Sequence, residues 1–311
     1  MGVSLVDRKS WCVVGASGML GSRLVRELRD LGCLVTAVTC QHNLPEASRG
    51  VNVTVLKADL VADNAVKEIV SLSKPDVLVN CVGLTSVDAC EDHLEMAKLL
   101  NCELVGQLAS AANSIKARFV HISTDHLWSG VDPMIREDVA IKPVNVYART
   151  KADGERAALS NCLDTLILRT NFFGCSLPWR NSFDQWALDE LQAGRQVNAF
   201  GDVYFTPISA ALLVGKIIAL VKLEARGVYN VAGCERLSKY DFVLRLAKRY
   251  GMDENLIRRA SIEEINLRAP RPKDMSLDTS KVSALLGAKM PTFNESLDSI
   301  NQLRSDHSNQ Y

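Results

Sequence analysis

The chain has 311 residues, enough for one large domain with a smaller second lobe but too few for three independent domains. Lysine plus arginine and aspartate plus glutamate each number 36, so no surplus of charge indicates a nucleic-acid or anionic-membrane partner. The longest apolar runs, LVTAV and IIALV, are far shorter than the roughly 20 residues that span a bilayer. We therefore expect a small-molecule ligand, no nucleic acid and no membrane.

The nine cysteines are scattered without CxxC spacing, and several stand in apolar runs. An odd number of buried thiols is typical of reduced cysteines in a reducing compartment. The N-terminal MGVSLVDRKSW lacks the basic start and apolar run of an export signal, so the expected location is the cytoplasm. The five histidines show no ligand spacing with Cys, Asp or Glu, and no metal site is predicted.

The first 125 residues alternate short strands with helices. The apolar runs that read as buried strands are WCVVGA, LVTAVT, VTVLKA, DVLVN and ARFVHIST. The helical stretches between them are MLGSRLVRELRDLG, ADNAVKEIVSLS and LEMAKLLNCELVGQLASAANS. This alternation predicts an α/β fold with a doubly wound parallel sheet, whose ligand crevice lies at the carboxyl ends of the strands.

The first strand leads directly into GASGMLG, with Gly15, Gly18 and Gly21 opening the first helix. Glycine tolerates positive φ, and the lack of a Cβ lets a pyrophosphate reach the N–H groups of the helix N-terminus. A glycine-rich turn alone is a weak signal, but the strand before it and the helix after it supply the required context. The loop predicts a Rossmann-type dinucleotide site with contacts from Gly15, Ser17, Gly18, Met19 and Leu20.

The second strand ends VTAVTCQH, without the acidic residue that binds a ribose 2′-hydroxyl, so strict NADH preference is not expected. Arg23 and His42 are candidates for a 2′-phosphate, although such charges are usually only solvated. Asp59, in KADL, is expected either to bind the adenine amino group or to cap the helix that follows. NADPH is the predicted cofactor and NADH the alternative, with Leu60 also expected at the site.

The segment VYARTK holds Tyr147 and Lys151 four positions apart, on one face of a predicted helix. A phenol with a pKa of about 10 is a poor acid at neutral pH unless a cation stabilises its phenolate, and Lys151 offers that cation. Upstream, HISTD ends the fifth strand, where Thr124 can bind a carbonyl oxygen. We expect Lys151 to bind the nicotinamide ribose and Tyr147 to protonate a carbonyl oxygen as hydride reaches its carbon.

Several stretches together resemble the extended short-chain dehydrogenases/reductases, and among them the dTDP-4-dehydrorhamnose reductase family. The matching stretches are GASGMLGSRL, DVLVNCVGLTSVDACE, HISTDHLWSG, PVNVYARTKADGERA, LILRTNFFG and RPKDMSLDTSKV. The resemblance implies catalytic roles for Thr124, Tyr147 and Lys151. It also implies a cofactor-lining turn formed by Asn80, Cys81, Val82 and Gly83.

The activity that the resemblance implies is NADPH-dependent reduction of the 4-keto group of a nucleotide-linked 6-deoxyhexose. Where the family has STDYVF, this chain has STDHLW, and GDVYFTPIS replaces a family pattern in the second lobe. The substrate identity is therefore open. The residues expected to contact substrate are Asp125, His126, Trp128, Asn171 and Arg271.

After residue 170, aromatic and proline content rises and helical segments dominate, with isolated strands such as GVYNVAG. We expect residues 1–170 to form the NAD(P)-binding domain, with 206–235 packing back on it. Residues 171–205 and 236–311 are expected to form a smaller, interleaved substrate-binding lobe. In that lobe, Arg195 and Lys273 could bind a diphosphate or could simply be solvated. Trp179, Tyr204 and Phe205 could stack on a base or could be core residues.

Three other functions remain open. A dehydratase needs an Asp-Glu pair after the strand-end threonine, and His126 in place of the glutamate argues against it. A 4-epimerase shares the tyrosine and lysine. Some relatives resemble the regulatory β-subunit of methionine adenosyltransferase, which binds a dinucleotide and partners another enzyme. The sequence is also compatible with a homodimer.

Overall fold

The computed structural model describes residues 9–174 and 176–308, with side chains described up to residue 300. Contacts divide the chain into two compact units. Unit 1 contains the described residues up to Thr124, together with Asn145–Leu168 and Leu220–Val228. Unit 2 contains Asp125–Val144, Arg169–Ala219 and the described residues from Tyr229 onward.

Unit 1 is built on a seven-stranded sheet. The strands are β1 (Ser10–Val14), β2 (Leu34–Thr39), β3 (Val53–Lys57), β4 (Val77–Asn80), β5 (Arg118–Ile122), β6 (Thr165–Arg169) and β11 (Gly227–Asn230). Their order in the sheet is β11-β6-β5-β4-β1-β2-β3. Every neighbouring pair from β6 to β3 is parallel, as expected where helices connect the strands.

The connecting helices of unit 1 cover the sheet. They are α1 (Met19–Asp30), a 3₁₀ turn (Glu46–Ser48), α2 (Ala65–Ser73), α3 (Val87–Asp92), α4 (Leu94–Lys98), α5 (Leu104–Ser114) and α6 (Val146–Asn161). A π-helical segment, Leu99–Glu103, joins α4 to α5. The α/β prediction is confirmed, and all five predicted strands are present. The single helix predicted between the fourth and fifth strands is instead an α-π-α series.

The core of unit 1 forms where apolar strand faces meet apolar helix stripes. Cys12, Leu78 and Phe119 come from the sheet, and Ile69 and Leu108 come from α2 and α5. All five are at most 1% exposed, so the interface between the sheet and these helices excludes water. Burial of such side chains is worth about 1.5–3 kcal/mol each and holds the strand ends in register.

Unit 2 consists of short strand pairs and longer helices. Its elements are β7 (Phe172–Phe173), α7 (Phe183–Gln192), β8 (Val197–Phe200), β9 (Tyr204–Phe205), β10 (Ile208–Ser209), most of α8 (Ala210–Lys222), β12 (Leu237–Ser238), α9 (Lys239–Tyr250), a 3₁₀ turn (Glu254–Leu256), β13 (Ile257–Ala260), a second 3₁₀ turn (Ile262–Glu264), α10 (Ser280–Leu286) and α11 (Phe293–Ser308). The strand pairs are β10-β7, β12-β9 and β13-β8. An aromatic cluster forms the centre of its core: Phe173, Phe205, Phe242 and Phe293.

The observed units differ from the predicted boundaries in two segments. Residues 125–144 belong to unit 2, although they precede residue 170. Of the segment 206–235, only Leu220–Val228 belongs to unit 1. GVYNVAG, predicted as an isolated strand within the segment 206–235, forms β11, the edge strand next to β6. The sequence of a short edge strand does not show which sheet it joins.

Candidate active site

The glycine loop of unit 1 is held by the end of β2. The N–H groups of Gly15 and Ala16 both donate to the Val38 carbonyl oxygen, at 3.1 and 2.9 Å. Gly15 has a φ of +83°, in the left-handed region that favours glycine. A Cβ on Gly15 would lie 2.9 Å from Val82 Cγ2, and one on Gly21 would lie 2.2 Å from the Gly15 carbonyl oxygen. The loop therefore requires glycine at both positions.

The N-terminus of α1 is suited to an anion. Gly18 is its N-cap residue, no described side chain caps it, and no acidic residue lies in its first turn. Backbone N–H groups and the positive end of the helix dipole attract phosphate oxygens. Ser17, Gly18 and Met19 are partly exposed here, whereas Leu20 is 4% exposed and packs inward. The loop as a whole fits a dinucleotide pyrophosphate.

The turn after β4 lies beside the loop. The Cys81 N–H donates to the Val14 carbonyl oxygen at 2.9 Å, which joins the ends of β4 and β1. A Cβ on Gly83 would lie 3.9 Å from Lys151 Nζ. Burial raises the pKa of the Cys81 thiol to about 12, and the nearby Lys151 lowers it by less. The predicted cofactor-lining residues Cys81, Val82 and Gly83 are therefore together at the carboxyl edge of the sheet.

Asp59 does not cap the helix that follows it. Helix α2 begins at Ala65, with Asn64 as its N-cap residue. The Asp59 carboxylate accepts a hydrogen bond from the Val61 N–H at 3.2 Å, in a local turn, and the residue is exposed. Leu60 is 8% exposed and packs in the unit 1 core. The capping alternative is therefore wrong, and the adenine contacts of Asp59 and Leu60 stay predictions.

The two candidates for a 2′-phosphate are on or near α1 and β2. Arg23 forms an ion pair with Glu27 one turn along α1, at 3.7 Å. His42 is exposed just beyond β2. A carboxylate beside Arg23 reduces the charge that it offers to a phosphate, so neither residue explains NADPH preference by itself.

Tyr147 and Lys151 lie on α6, one turn apart and both buried. Asn145 caps the helix by accepting the Ala148 N–H at 2.8 Å, which fixes the start of α6 directly before Tyr147. Tyr147 is 7% exposed and packs with Val146 and Cys90. Tyr147 and Lys151 therefore lie on one face of α6, as the spacing predicted.

Lys151 reaches the carboxyl end of β5. Its Nζ donates to the Ile122 carbonyl oxygen at 2.8 Å and lies 3.4 Å from His121 Nε2. Burial lowers the pKa of Lys151 to about 8, although Glu155 and Cys81 oppose this by attracting the ammonium. A buried lysine at this pKa changes protonation state close to neutral pH.

Thr124 follows β5 and is 4% exposed. Its neighbour Ser123 donates from its N–H to the Leu168 carbonyl oxygen at 2.8 Å and from its hydroxyl to Glu155 at 2.5 Å. These bonds tie the end of β5 to β6 and to α6. The segment that carries Thr124 is therefore anchored in unit 1.

Asn101 is a buried residue of unit 1 that the sequence interpretation missed. It lies in the π segment, and its amide exchanges hydrogen bonds with the Leu84 N–H and carbonyl oxygen, at 2.8 and 3.0 Å. It also donates to Thr150 on α6, at 3.1 Å. Asn101 thereby fixes the turn after β4 relative to the helix that carries Tyr147. Its only sequence signal is an asparagine within an apolar helical run.

Four of the five predicted substrate residues cluster in unit 2. Asn171 donates to Asp125 at 2.7 Å, and His126 Nε2 lies 3.8 Å from the same carboxylate. Burial lowers the pKa of His126, Asp125 opposes this, and the charges of Lys239 and Arg271 add to the lowering. His126 is therefore a neutral ring at pH 7 in a polar cluster, rather than an isolated surface histidine.

Lys239, the first residue of α9, belongs to this cluster and was missed from sequence. Its Nζ lies 3.3 Å from the centroid of Phe205 and 4.9 Å from that of Phe183. Among the described residues it has no hydrogen-bond acceptor. Burial lowers its pKa to about 8, with attraction from Asp125 opposing. No motif marks a lysine whose neighbours come from distant parts of the chain.

Trp128 is a packed residue of unit 2. It is 5% exposed, its indole N–H donates to the Val139 carbonyl oxygen at 3.3 Å, and the Arg169 guanidinium lies 5.0 Å from its ring. Arg271 donates to the Ala269 carbonyl oxygen at 2.9 Å. These contacts fix both side chains within the unit.

The other basic and aromatic candidates have partners in unit 2. Arg195 pairs with Glu190 through two bonds of 2.7 and 2.8 Å, so the predicted diphosphate contact has a competing carboxylate. Lys273 pairs with Glu263 at 2.5 Å. Phe205 is a core residue, Tyr204 stacks under Arg236 at 3.6 Å, and Trp179 is 39% exposed.

In the described part of the chain, no group of three or more potential ligands could hold a metal ion. None of the described helices is long and apolar enough to cross a bilayer.

Comparison with known proteins gives a consistent result. The family described as "RmlD substrate binding domain" matches residues 10–304. A probable low-salt glycan biosynthesis reductase of Haloferax volcanii is 30% identical over 95% of this chain and 98% of its own. The solved structure of a hypothetical dTDP-4-dehydrorhamnose reductase from Sulfolobus tokodaii has a TM-score of 0.79 and 31% identity, covering 91% of this chain and 97% of its own. Methionine adenosyltransferase 2 subunit beta of Pongo abelii is 26% identical over 90% of this chain and 83% of its own.

Proposed function

Because the chain belongs to the RmlD substrate-binding-domain family, we propose that it reduces the 4-keto group of a nucleotide-linked 6-deoxyhexose with NADPH. The broader assignment, a nicotinamide-dinucleotide-dependent oxidoreductase of sugar nucleotides within the extended short-chain dehydrogenases/reductases, follows from the family. The reductases among its relatives support the finer one.

One observation carries the proposal: a phenol and an amine lie one helical turn apart in a buried environment at the carboxyl edge of the sheet. In water the pKa of tyrosine is about 10, well above the neutral pH at which a general acid works best. Removal of water strengthens the attraction between the Lys151 ammonium and a phenolate. Tyr147 then becomes a general acid for a carbonyl oxygen, which Thr124 would also contact by a hydrogen bond.

The glycine loop and the turn after β4 fit a dinucleotide, since a Cβ would intrude on the loop and the helix N-terminus attracts phosphate. Gly15, Gly18 and the start of α1 would hold the pyrophosphate, and Lys151 would hold the nicotinamide ribose. When bound, the cofactor supplies hydride. Asp59 and Leu60 would contact the adenine half. NADPH rather than NADH is proposed because β2 ends VTAVTCQH, without an acidic residue for the ribose 2′-hydroxyl.

The polar cluster of unit 2 would bind the sugar nucleotide. Asp125 and Asn171 present a carboxylate and an amide for sugar hydroxyls, and Lys239 and Arg271 present charge for an anionic group. His126 and Trp128 distinguish this cluster from that of the reductases that the sequence resembles. We therefore propose a sugar nucleotide as the ligand class without assigning its base or sugar.

A panel assay tests the function. Purified protein is given NADPH or NADH with dTDP-, UDP- and GDP-linked 4-keto-6-deoxyhexoses, and cofactor oxidation is followed by absorbance. The expected result is oxidation of NADPH with at least one substrate and a product reduced at C4. Failure with every keto sugar nucleotide, in protein that still binds NADPH, would contradict the proposal.

A second candidate, a dinucleotide-binding regulatory subunit, is favoured by the similarity to methionine adenosyltransferase 2 subunit beta. It predicts cofactor binding, no turnover and a stable complex with a larger enzyme. The panel assay separates the two functions, and size-exclusion chromatography with a methionine adenosyltransferase catalytic subunit tests complex formation directly. A 4-epimerase would instead interconvert two hydroxylated sugars without net cofactor oxidation.

Two further proposals concern the setting of the enzyme. The eight described cysteines are all free, which supports a reducing compartment, and we propose the cytoplasm. A homodimer stays a prediction of the sequence, and sedimentation velocity tests it.

A further inference from the structure

A buried chain of polar contacts lies beneath Lys151. Asn80 ends β4, His121 lies in β5, and both are fully buried. Asn80 Nδ2 lies 3.2 Å from His121 Nδ1, and His121 Nε2 lies 3.4 Å from Lys151 Nζ. The imidazole ring therefore connects an amide on one side to the candidate catalytic lysine on the other.

The direction of these hydrogen bonds is fixed at the Asn80 end. The Val82 N–H donates to Asn80 Oδ1 at 2.9 Å. Since the oxygen is engaged there, the amide nitrogen faces the ring and donates to His121 Nδ1. A neutral imidazole carries one N–H, so Nδ1 as acceptor leaves the proton on Nε2. Burial and the Lys151 charge both lower the pKa of His121 well below its usual value, which keeps the ring neutral.

The Nε2–H of His121 then faces the Lys151 amine. An ammonium has only donors, so it cannot accept this N–H, whereas a neutral amine has a lone pair that can. The Ile122 carbonyl oxygen can accept from either form, although more strongly from the ammonium, so it favours the charge that the imidazole N–H opposes. The other titratable groups near Lys151 are Tyr147 and Glu155 on α6 and Cys81 after β4, and Glu155 and Cys81 attract the ammonium.

We propose that Asn80 and His121 are positioning residues that control the proton on Lys151: Asn80 fixes the Nε2–H tautomer of His121, and that N–H opposes the ammonium. The consequence for catalysis rests on the proposed function, because it requires the Lys151 charge to act on Tyr147. Both residues are fully buried and would act through Lys151.

The tautomer can be measured in the unaltered protein. Uniform ¹⁵N labelling and long-range ¹H–¹⁵N correlation distinguish a pyridine-like from a pyrrole-like ring nitrogen, and a His121→Gln sample assigns the signal. We expect the proton of the His121 ring on Nε2 and none on Nδ1. The opposite tautomer, or a charged ring at pH 7, would overturn the proposal.

The substitution Asn80→Asp should reverse the tautomer of His121, because Asp has nearly the same shape as Asn but only acceptor atoms. The carboxylate can accept both the Val82 N–H and a proton on His121 Nδ1, so that Nε2 becomes an acceptor for the Lys151 ammonium. Titration of ¹³Cε-labelled lysine by NMR should show the Lys151 midpoint rising by ~1 pH unit or more. Asn113→Asp is the matched control, since Asn113 lies at the end of α5 beside Leu163 and adds the same charge elsewhere.

An unchanged midpoint in folded Asn80→Asp protein, or an equal rise in Asn113→Asp protein, would overturn the proposal. Both NMR readouts are independent of turnover, so a failed panel assay leaves them interpretable. If Asn80→Asp does not fold, the tautomer measurement alone decides. In an active enzyme the alkaline limit of kcat/KM should move upward together with the lysine midpoint.

Discussion

Tyr147 is the residue on which the proposed chemistry depends most directly. Replacing it by phenylalanine removes the proton donor but preserves the ring that packs against Val146 and Cys90. We expect kcat to fall by about 10²–10⁴-fold, the usual contribution of general acid catalysis, with NADPH affinity nearly unchanged. Steady-state kinetics and fluorescence titration measure the two quantities.

Tyr229→Phe is the matched control for this substitution. Lys281 Nζ lies 4.4 Å from the centroid of the Tyr229 ring, and this contact does not involve the hydroxyl. Its turnover should equal that of the unaltered protein. Equal kcat values for Tyr147→Phe and Tyr229→Phe would remove the catalytic role from Tyr147.

Lys151 gives the enzyme a predicted alkaline limit. Its pKa of about 8 means that the ammonium is present below pH 8 and is lost as the pH rises through that value. Since the ammonium is the form that stabilises a phenolate, kcat/KM should decline about tenfold per pH unit above pH ~8. Profiles from pH 6 to 10 measure this.

Lys151→Arg keeps its charge over this range, because a guanidinium is not deprotonated. Its turnover should be lower, since a planar fork does not reproduce the amine geometry, but the descending limb near pH 8 should disappear. Retention of that limb would assign it to another group.

Lys239 offers a parallel test in unit 2. Its half-buried ammonium has only ring faces as close neighbours among the described residues, so an anionic substrate group would supply the missing acceptor. Lys239→Gln should raise KM for the sugar nucleotide about tenfold, with kcat little changed. Lys248→Gln, an exposed position on the same helix that pairs with Glu254, should leave KM unchanged.

At the scale of secondary-structure elements, the close contact of α6 with the π segment depends on one glycine, Gly154. A Cβ on Gly154 would lie 2.0 Å from the Asn101 carbonyl oxygen, a backbone atom that cannot turn away. Gly154→Ala should therefore destabilise the protein by about 2–3 kcal/mol and displace the helix that carries Tyr147 and Lys151. Chemical denaturation and kcat measure both effects.

Gly106, a glycine of α5 that faces the same helix α6, provides the control. A Cβ there would meet Ala157 at 3.4 Å and Asn161 at 3.6 Å, which are ordinary contacts. Gly106→Ala should be neutral or stabilise by up to ~1 kcal/mol, because alanine has the higher helix propensity. Equal effects of the two substitutions would show that α6 is not held closely against Asn101.

Elements with a strong periodic pattern could be predicted, and those defined by tertiary contacts could not. The stripe of Leu20, Leu24, Val25 and Leu28 predicted α1, and the β-branched runs predicted five strands of the sheet. The π segment lies against α6 at Gly154, and no periodicity in the sequence encodes that contact. The same distinction holds at the site: the YxxxK spacing predicted the face of α6, whereas Lys239 and His121 depend on neighbours from distant segments.

At the scale of the whole molecule, cofactor binding should stabilise the folded chain. A ligand at 100 times its Kd contributes about 2.7 kcal/mol to the free energy of unfolding. NADPH should therefore raise the Tm of the unaltered protein. In Gly15→Ala protein this rise should vanish, because the new Cβ meets Val82 and crowds the loop that would hold the pyrophosphate.

Gly32→Ala controls for backbone strain in this experiment. Gly32 has a φ of +80°, close to that of Gly15, but a Cβ added to it would meet no heavy atom within 4 Å beyond its chain neighbours. Backbone strain should cost each variant about 1–2 kcal/mol of stability, and Gly15→Ala should lose more because of its contact with Val82. Only Gly32→Ala should retain the NADPH-induced rise. Retention of the rise in Gly15→Ala protein would mean that the loop does not bind the cofactor, and loss in both would assign the effect to backbone strain.

The two units share one chain that crosses between them after residues 124, 144, 168, 219 and 228. Neither unit is a continuous stretch, so no single recombination event can exchange one for its counterpart from a relative. On the proposed function, new substrate preferences would arise more readily by point changes within unit 2, as at the proposed substrate residues His126 and Trp128. A grafted substrate unit would need three separate segments inserted together, which makes gradual divergence the accessible evolutionary route.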